Sequence, residues 1–126
     1  MVNPKRKGKT GEDEACLWIM KYLYDNKRTI TRNYNQMYIG ADIVDYPLIY
    51  EVKRREVLAL DKWWGQIMAV QRRLNLHGKS TIPVVMFRQN RKLWEFLISA
   101  EAIGDTLGYV RLNEARFMEW ARRYTD

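Results

Sequence analysis

The stretch GADIVDYPLIYEVKRRE, residues 40–56, sets two apolar runs on either side of Tyr46-Pro47 and interrupts them with Asp42, Asp45, Glu51 and Lys53. Read as a hairpin centred on that dipeptide, the two strands pair residues whose numbers sum to about 93. Asp45 then faces Leu48, and Asp42 faces Glu51. Side chains alternate along a strand, so Glu51 and Lys53 share one face while Tyr50 and Val52 take the other and turn to the core. Two carboxylates and an ammonium therefore converge on a small patch of a sheet. Such anions repel unless something cationic sits between them. Lys53 supplies part of that compensation, and a divalent ion would supply more. Proline at the second central position of the turn requires a cis peptide or a wider turn. Asp45, beside the turn and on the other face from Asp42, reads as a turn residue outside the patch.

Outward from the hairpin, a helix is expected over residues 11–25, with Glu12, Asp13 and Glu14 in a first turn where the helix dipole favours negative charge. Cys16, Ile19 and Leu23 share the face of Glu12, so Glu12 points at whatever that face packs on. Glu14 leads toward Trp18 and Lys21. Residues 28–46 read as extended, with Gly40 a possible bulge. DKWWGQIMAVQRRLNLHG, residues 61–78, reads as a helix from an Asp61 N-cap to a Gly78 stop, burying Trp63, Ile67, Val70 and Leu74. TIPVVMF and KLWEFLIS are two further strands joined by the turn RQNRK. A short helix follows Ser99, and a final one after Asn113 puts Phe117, Trp120, Ala121 and Tyr124 on one face. This order predicts an α/β or α+β fold, a mixed central β-sheet flanked by helices. Residues 1–10 read as a basic flexible arm and 11–126 as a single domain, with 99–126 a C-terminal helical extension that either mediates dimer contacts or completes the core.

Length and composition exclude several classes. With 126 residues, 47% hydrophobic and 29% charged, the chain can bury one core and no more. A single cysteine, Cys16, rules out an intrachain disulfide and a multi-cysteine zinc site, and a single histidine, His77, rules out a His-rich one. Any metal must be held by carboxylates. No apolar run reaches a membrane span and MVNPKRKGKTGEDE has no secretory h-region, so a cytoplasmic protein is expected, or one of the host cytoplasm if phage-encoded. The 22 Lys and Arg against 15 Asp and Glu give a net charge of +7, which favours a polyanionic partner.

The patch on the hairpin has the residue types that phosphodiester hydrolysis needs. Mg²⁺ takes oxygen ligands from one or two carboxylates and keeps positions for water and phosphate. It polarises the phosphoryl oxygen, while a nearby lysine orients the nucleophile or stabilises developing charge. Asp42, Glu51 and Lys53 are such residues, and Glu12 is a third acid able to bind directly or through water.

Asp42 followed on the next strand by Glu51-Val52-Lys53 resembles the D…(E)xK arrangement of the PD-(D/E)xK nuclease superfamily, with Ala41 where that superfamily has its proline. KGKTGEDE opening a helix, then GADIV, IYEVK and IPVVMF, resemble in order and spacing the archaeal-type Holliday junction resolvases and their phage relatives. The resemblance implies a restriction-endonuclease-like core and a catalytic set of Glu12, Asp42, Glu51 and Lys53. Mg²⁺, with Mn²⁺ as a substitute, would sit on the three acids, and Lys53 beside the attacking water. It implies metal-dependent cleavage of Holliday junctions or other branched DNA by a homodimer, because symmetric resolution needs two sites at a fixed separation. Two other readings stay open: a related nuclease acting on linear, flap or end structures, and a non-catalytic DNA-binding module on the same fold.

Gln66, one turn into the second long helix between Trp63 and Val70, either reaches the active site, as a Gln or Lys does in many related nucleases, or faces solvent. Lys5, Arg6, Lys7 and Lys9 read as phosphate-tracking residues of the arm or as a solubilising tail. Arg32 precedes the site where a resolvase-like protein carries a DNA-contacting Arg. Arg54 and Arg55 continue the Glu51 strand and are expected to touch the DNA backbone. Trp63 and Trp64 read as core or dimer residues.

Overall fold

Strands β1 (Ile43–Asp45) and β2 (Leu48–Arg54) form the hairpin in the expected register, Ile43 opposite Tyr50, Val44 opposite Ile49 and Asp45 opposite Leu48. The Tyr46-Pro47 peptide that joins them is cis, one of the two turn forms the proline allows. The computed structural model describes residues 4–33, 40–78, 80–103 and 108–125, with side chains for all of these except residues 4–9, 102 and 103.

Beside β2 lies β3 (Ile82–Arg88), parallel to it, followed by antiparallel β4 (Glu95–Ser99) and β5 (Tyr109–Asn113), so the sheet order among the described residues is β1-β2-β3-β4-β5. A parallel pair needs a crossover connection, and helix α2 (Leu60–Leu76) provides it. Helices α1 (Pro4–Tyr24) and α3 (Glu114–Thr125) complete the fold, with a 3₁₀ turn at Ala100–Ile103. The sheet is mixed and the architecture α+β. One face of the sheet buries Leu48, Tyr50, Val52, Met86 and Phe96 against α1 and α3. The other buries Ile49, Val85, Phe87 and Leu97 against Trp63, Trp64, Ile67, Val70 and Leu74 of α2. The apolar stripe read on α2 is thus its sheet-facing side, and both tryptophans are core.

Three expectations are corrected. Helix α1 begins at Pro4, so residues 4–10 continue the helix where an arm was expected. Proline suits a first helical turn because the N–H it lacks would have no partner there, and lysine and arginine are good helix formers. Asp61 lies inside the first turn of α2; the N-cap position is Ala59, which makes no side-chain cap bond, and the Asp61 carboxylate instead accepts the Tyr109 hydroxyl of β5. Of the extended segment expected before β1, residues 34–39 lie outside the described residues, and the part before them meets the sheet through an isolated bridge between Arg32 and Ile43. Finally, residues 99–126 are not purely helical, since β5 extends the sheet. Its alternation is easily missed, because Arg111 and Asn113 are exposed while Val110 and Leu112 pack on one core and Tyr109 on the other.

Of the two roles open to this C-terminal part, the structure shows that it completes the core. Phe117 of α3 is fully buried and stacks on Phe96 at 3.8 Å between ring centroids, and Ala121 is buried beneath it. Tyr124, expected on the same face, is exposed. Phe117→Ala is expected to cost about 3–5 kcal/mol, measurable as a lower urea midpoint at unchanged slope; a loss below about 1 kcal/mol would mean that α3 is dispensable to the core. No helix among the described residues is long and apolar enough to cross a membrane.

Candidate active site

Asp42 stands one residue before β1, and its placement begins with Gly40. That residue has φ 85°, and a Cβ on it would lie 2.7 Å from Arg73 Nη2 and 3.2 Å from Val70 Cγ2. Glycine alone meets both demands without strain. Past the fully buried Ala41, Asp42 is held by the two β2 residues that flank Glu51: its N–H donates to the Tyr50 carbonyl at 2.9 Å, and its Oδ2 accepts from the Val52 N–H at 2.8 Å. Asn33 secures the other side, donating from its backbone N–H to the Asp42 carbonyl at 2.7 Å and from Nδ2 to the Ala41 carbonyl at 3.0 Å. Asn33 carried no motif in the sequence; its role depends on two segments meeting.

Glu51 and Lys53 project from the face of β2 that carries Ile49, toward the α2 side. Lys53 Nζ lies 3.1 Å from Glu51 Oε1, with the two side chains 16% and 13% exposed. Burial, and after it the charge of Asp42, push the Glu51 carboxyl up to about 7, while Lys53 acts in the opposite direction. The structure therefore brings Asp42, Glu51 and Lys53 together. Their donor set fits a hard cation: two carboxylate oxygen ligands suit Mg²⁺, which completes its shell with water and phosphate, and a carboxyl whose ionisation is opposed by burial and then by a neighbouring carboxylate gains from an added positive charge. Among the described residues no three of His, Cys, Asp and Glu are gathered as a metal-holding group. The pair is what the fold assembles, and Glu12, half-buried on α1, is not grouped with it.

The remaining residues singled out from the sequence are distributed around this patch. Gln66 is exposed on α2. Arg32 bridges to Ile43 beside the site, with Nε 3.7 Å from Asp13 Oδ1. Arg55 is exposed, and its Nη1 donates to the Arg54 carbonyl at 3.0 Å. Arg54 is engaged within the protein: Nη1 donates to Glu14 Oε1 at 2.9 Å, and Arg88 Nη2 stands 3.6 Å from Glu14 Oε2. Glu14 thereby ties α1 to β2 and β3. Gly11 permits the approach, since a Cβ there would lie 3.3 Å from Arg54 Cβ. The side chains of Lys5, Arg6, Lys7 and Lys9 lie outside the described residues.

Asp45 is more than a turn residue. Its side chain is fully buried, 2.9 Å from Arg28 Nη2, and it accepts the Tyr24 hydroxyl. Burial and the Asp45 carboxylate raise the Tyr50 hydroxyl well above its ordinary range. The Cys16 thiol is also buried and is pushed up to about 12, by desolvation first and then by Asp13 and Glu12, which makes it a core residue rather than a nucleophile.

A mixed sheet between helices, with an acid before one strand of a hairpin and Glu-x-Lys on the next, agrees with the core that the motif resemblance implies. Among solved structures the chain matches Hjc, a Holliday junction resolvase from the archaeal hyperthermophile Archaeoglobus fulgidus, at a TM-score of 0.50 and 19% identity over 86% of this chain and 85% of that one. The likeness is one of fold. No family model and no curated protein matches the chain.

Proposed function

We propose that this protein is a divalent-metal-dependent DNA endonuclease that cuts Holliday junctions or other branched DNA, acting as a homodimer. The observation that supports this most is the assembly of Asp42, Glu51 and Lys53 on adjoining strands of a fold shared with a junction resolvase. Asp42 and Glu51 would hold Mg²⁺, for which Mn²⁺ can substitute, and Glu12, which is not grouped with them, would contribute only through water. When bound, the ion polarises the phosphoryl oxygen and makes water a better nucleophile. The rest of the chemistry falls to the chain. The Val52 N–H and the Asn33 contacts fix Asp42, and Lys53, held by Glu51, orients the attacking water and stabilises charge on the phosphate as the P–O bond breaks. Arg32 and Arg55 flank the site as candidate contacts to the DNA backbone; Gln66 is a candidate neighbour of the scissile strand. A homodimer would supply the second site that symmetric resolution requires.

The test uses a synthetic four-way junction and a linear duplex of the same arm sequence. Cleavage of the junction in Mg²⁺ or Mn²⁺, abolished by EDTA, is the expected result. Absence of cleavage with either metal would remove the enzyme and leave a DNA-binding module, while equal cutting of the linear duplex would remove the preference for branches.

A further inference from the structure

The turn between β3 and β4 carries Arg91 and Lys92, both exposed, and neither makes an ion pair among the described residues. Arg54 and Arg88, in contrast, converge on Glu14. So Arg54 and Arg88 share one carboxylate within the protein, while Arg91 and Lys92 stand exposed one turn further out, with Glu95 near enough to Lys92 to feel its charge.

This turn is also built into the site's scaffold. The β2–β3 ladder runs Lys53 opposite Phe87 and Arg54 opposite Arg88, and the Arg55 N–H extends it by donating to the Arg88 carbonyl at 3.2 Å. Past that point Glu56 takes over. Its carbonyl accepts Gln89 Nε2 at 2.7 Å and its carboxylate accepts the Asn90 N–H at 2.7 Å. The turn closes with Arg91 in the left-handed region at φ 60° and the Lys92 N–H donating to the Gln89 carbonyl at 3.2 Å. Glu56 therefore locks the chain after Arg55 to the chain before Arg91. From Phe87, beside Lys53, to Asn90 is three residues, a reach of at most roughly 10 Å at about 3.3 Å per extended residue.

We infer that the β3–β4 turn is a DNA-backbone contact carried by Arg91 and Lys92, held at a fixed distance from the active site by Glu56. The inference rests on the nuclease reading and adds to it a second anchoring element. Arg91, Lys92 and Arg55 together would form one rigid cationic edge, which suits non-specific phosphate contact, since each neutralised phosphate releases counterions whatever the sequence.

The experiment is fluorescence anisotropy on a labelled four-way junction, in Ca²⁺ to prevent cutting, as a function of salt. R91Q/K92Q is expected to weaken binding by on the order of tenfold and to lower the slope of log K against log salt by about 2. The double variant K27Q/R122Q removes the same charge at the other end of α1, beside Tyr24 and Met118, and is expected to change the slope by less than half as much. E56A keeps the turn's own cations but removes the acceptor of the Asn90 N–H; weaker binding at an unchanged slope is its expected result. Equal slopes for wild type and R91Q/K92Q, or an equal loss in K27Q/R122Q, would overturn this inference and leave the nuclease reading intact. A wild-type protein that neither binds nor cuts DNA would overturn both.

Discussion

Asp42→Asn is expected to slow junction cleavage by at least about a thousandfold, about 4 kcal/mol of transition-state stabilisation, while leaving junction affinity within about threefold. The substitution is informative because its geometry is conserved. Asp42 Oδ2 accepts the Val52 N–H, and the amide oxygen of asparagine can accept the same bond, so the hairpin should keep its register. What disappears is the negative charge. Glu51→Gln should give a loss of similar size, because it removes the other carboxylate and also the partner that holds Lys53 Nζ at 3.1 Å. Groups that work as a unit are not additive, so the double variant should be little worse than either single one. Single-turnover rates in Mg²⁺ with affinities measured in Ca²⁺ separate these effects. Cleavage within tenfold of wild type in Asp42→Asn would sink the site, and a parallel collapse of binding would show that the residue acts through structure.

Why the sequence revealed the centre of this site and not its surroundings follows from the range of the interactions. The hairpin register is local: a turn fixes it, and strand alternation then dictates that Glu51 and Lys53 share a face. The observed pairs, Ile43 with Tyr50 through Asp45 with Leu48, follow the register read from that turn. The stripe of α2 was legible for the same reason, as helical periodicity reports one face. Residues whose roles are set by contacts across the fold were not legible. Arg54 has the look of a DNA contact until α1 packs and Glu14, forty positions earlier, meets it. Asp45 has the composition of a turn until Tyr24 and Arg28 close over it. β5 is short and only partly buried, with Val110 and Leu112 on one core and Tyr109 on the other, so its strand character comes from the edge of β4 that it covers. Helical periodicity puts Glu12 on the face of Cys16 and Ile19, yet the face of a helix does not specify the distance to residues on another element.

Glu51 should make the metal-free protein less stable as pH rises, the reverse of the usual behaviour of a carboxylate. Its carboxyl has an ordinary value of 4.5 and is pushed up to about 7 in the fold, by burial and then by Asp42. The native state therefore holds a proton that the unfolded chain has already released. Where the native state binds more protons, stability falls with pH. The full stability is present below about pH 4.5, is lost as pH rises toward 7, and stays lost above it. At 1.36 kcal/mol per pH unit the interval amounts to about 3 kcal/mol. Glu51→Gln has no such proton to hold. In EDTA its stability relative to wild type should increase by about 2–3 kcal/mol between pH 5 and pH 8, whatever the other carboxylates contribute to both proteins. Mg²⁺ should reverse the order, because a cation bound by Asp42 and Glu51 favours the ionised form and stabilises the native state by mass action, by about 2.7 kcal/mol at a hundredfold excess over Kd. Urea unfolding at the two pH values, with and without Mg²⁺, tests both halves without reference to DNA cleavage. A difference between the proteins that does not change with pH would remove the buried, charge-repelled Glu51. Equal stabilisation of wild type and Glu51→Gln by Mg²⁺ would place the metal elsewhere.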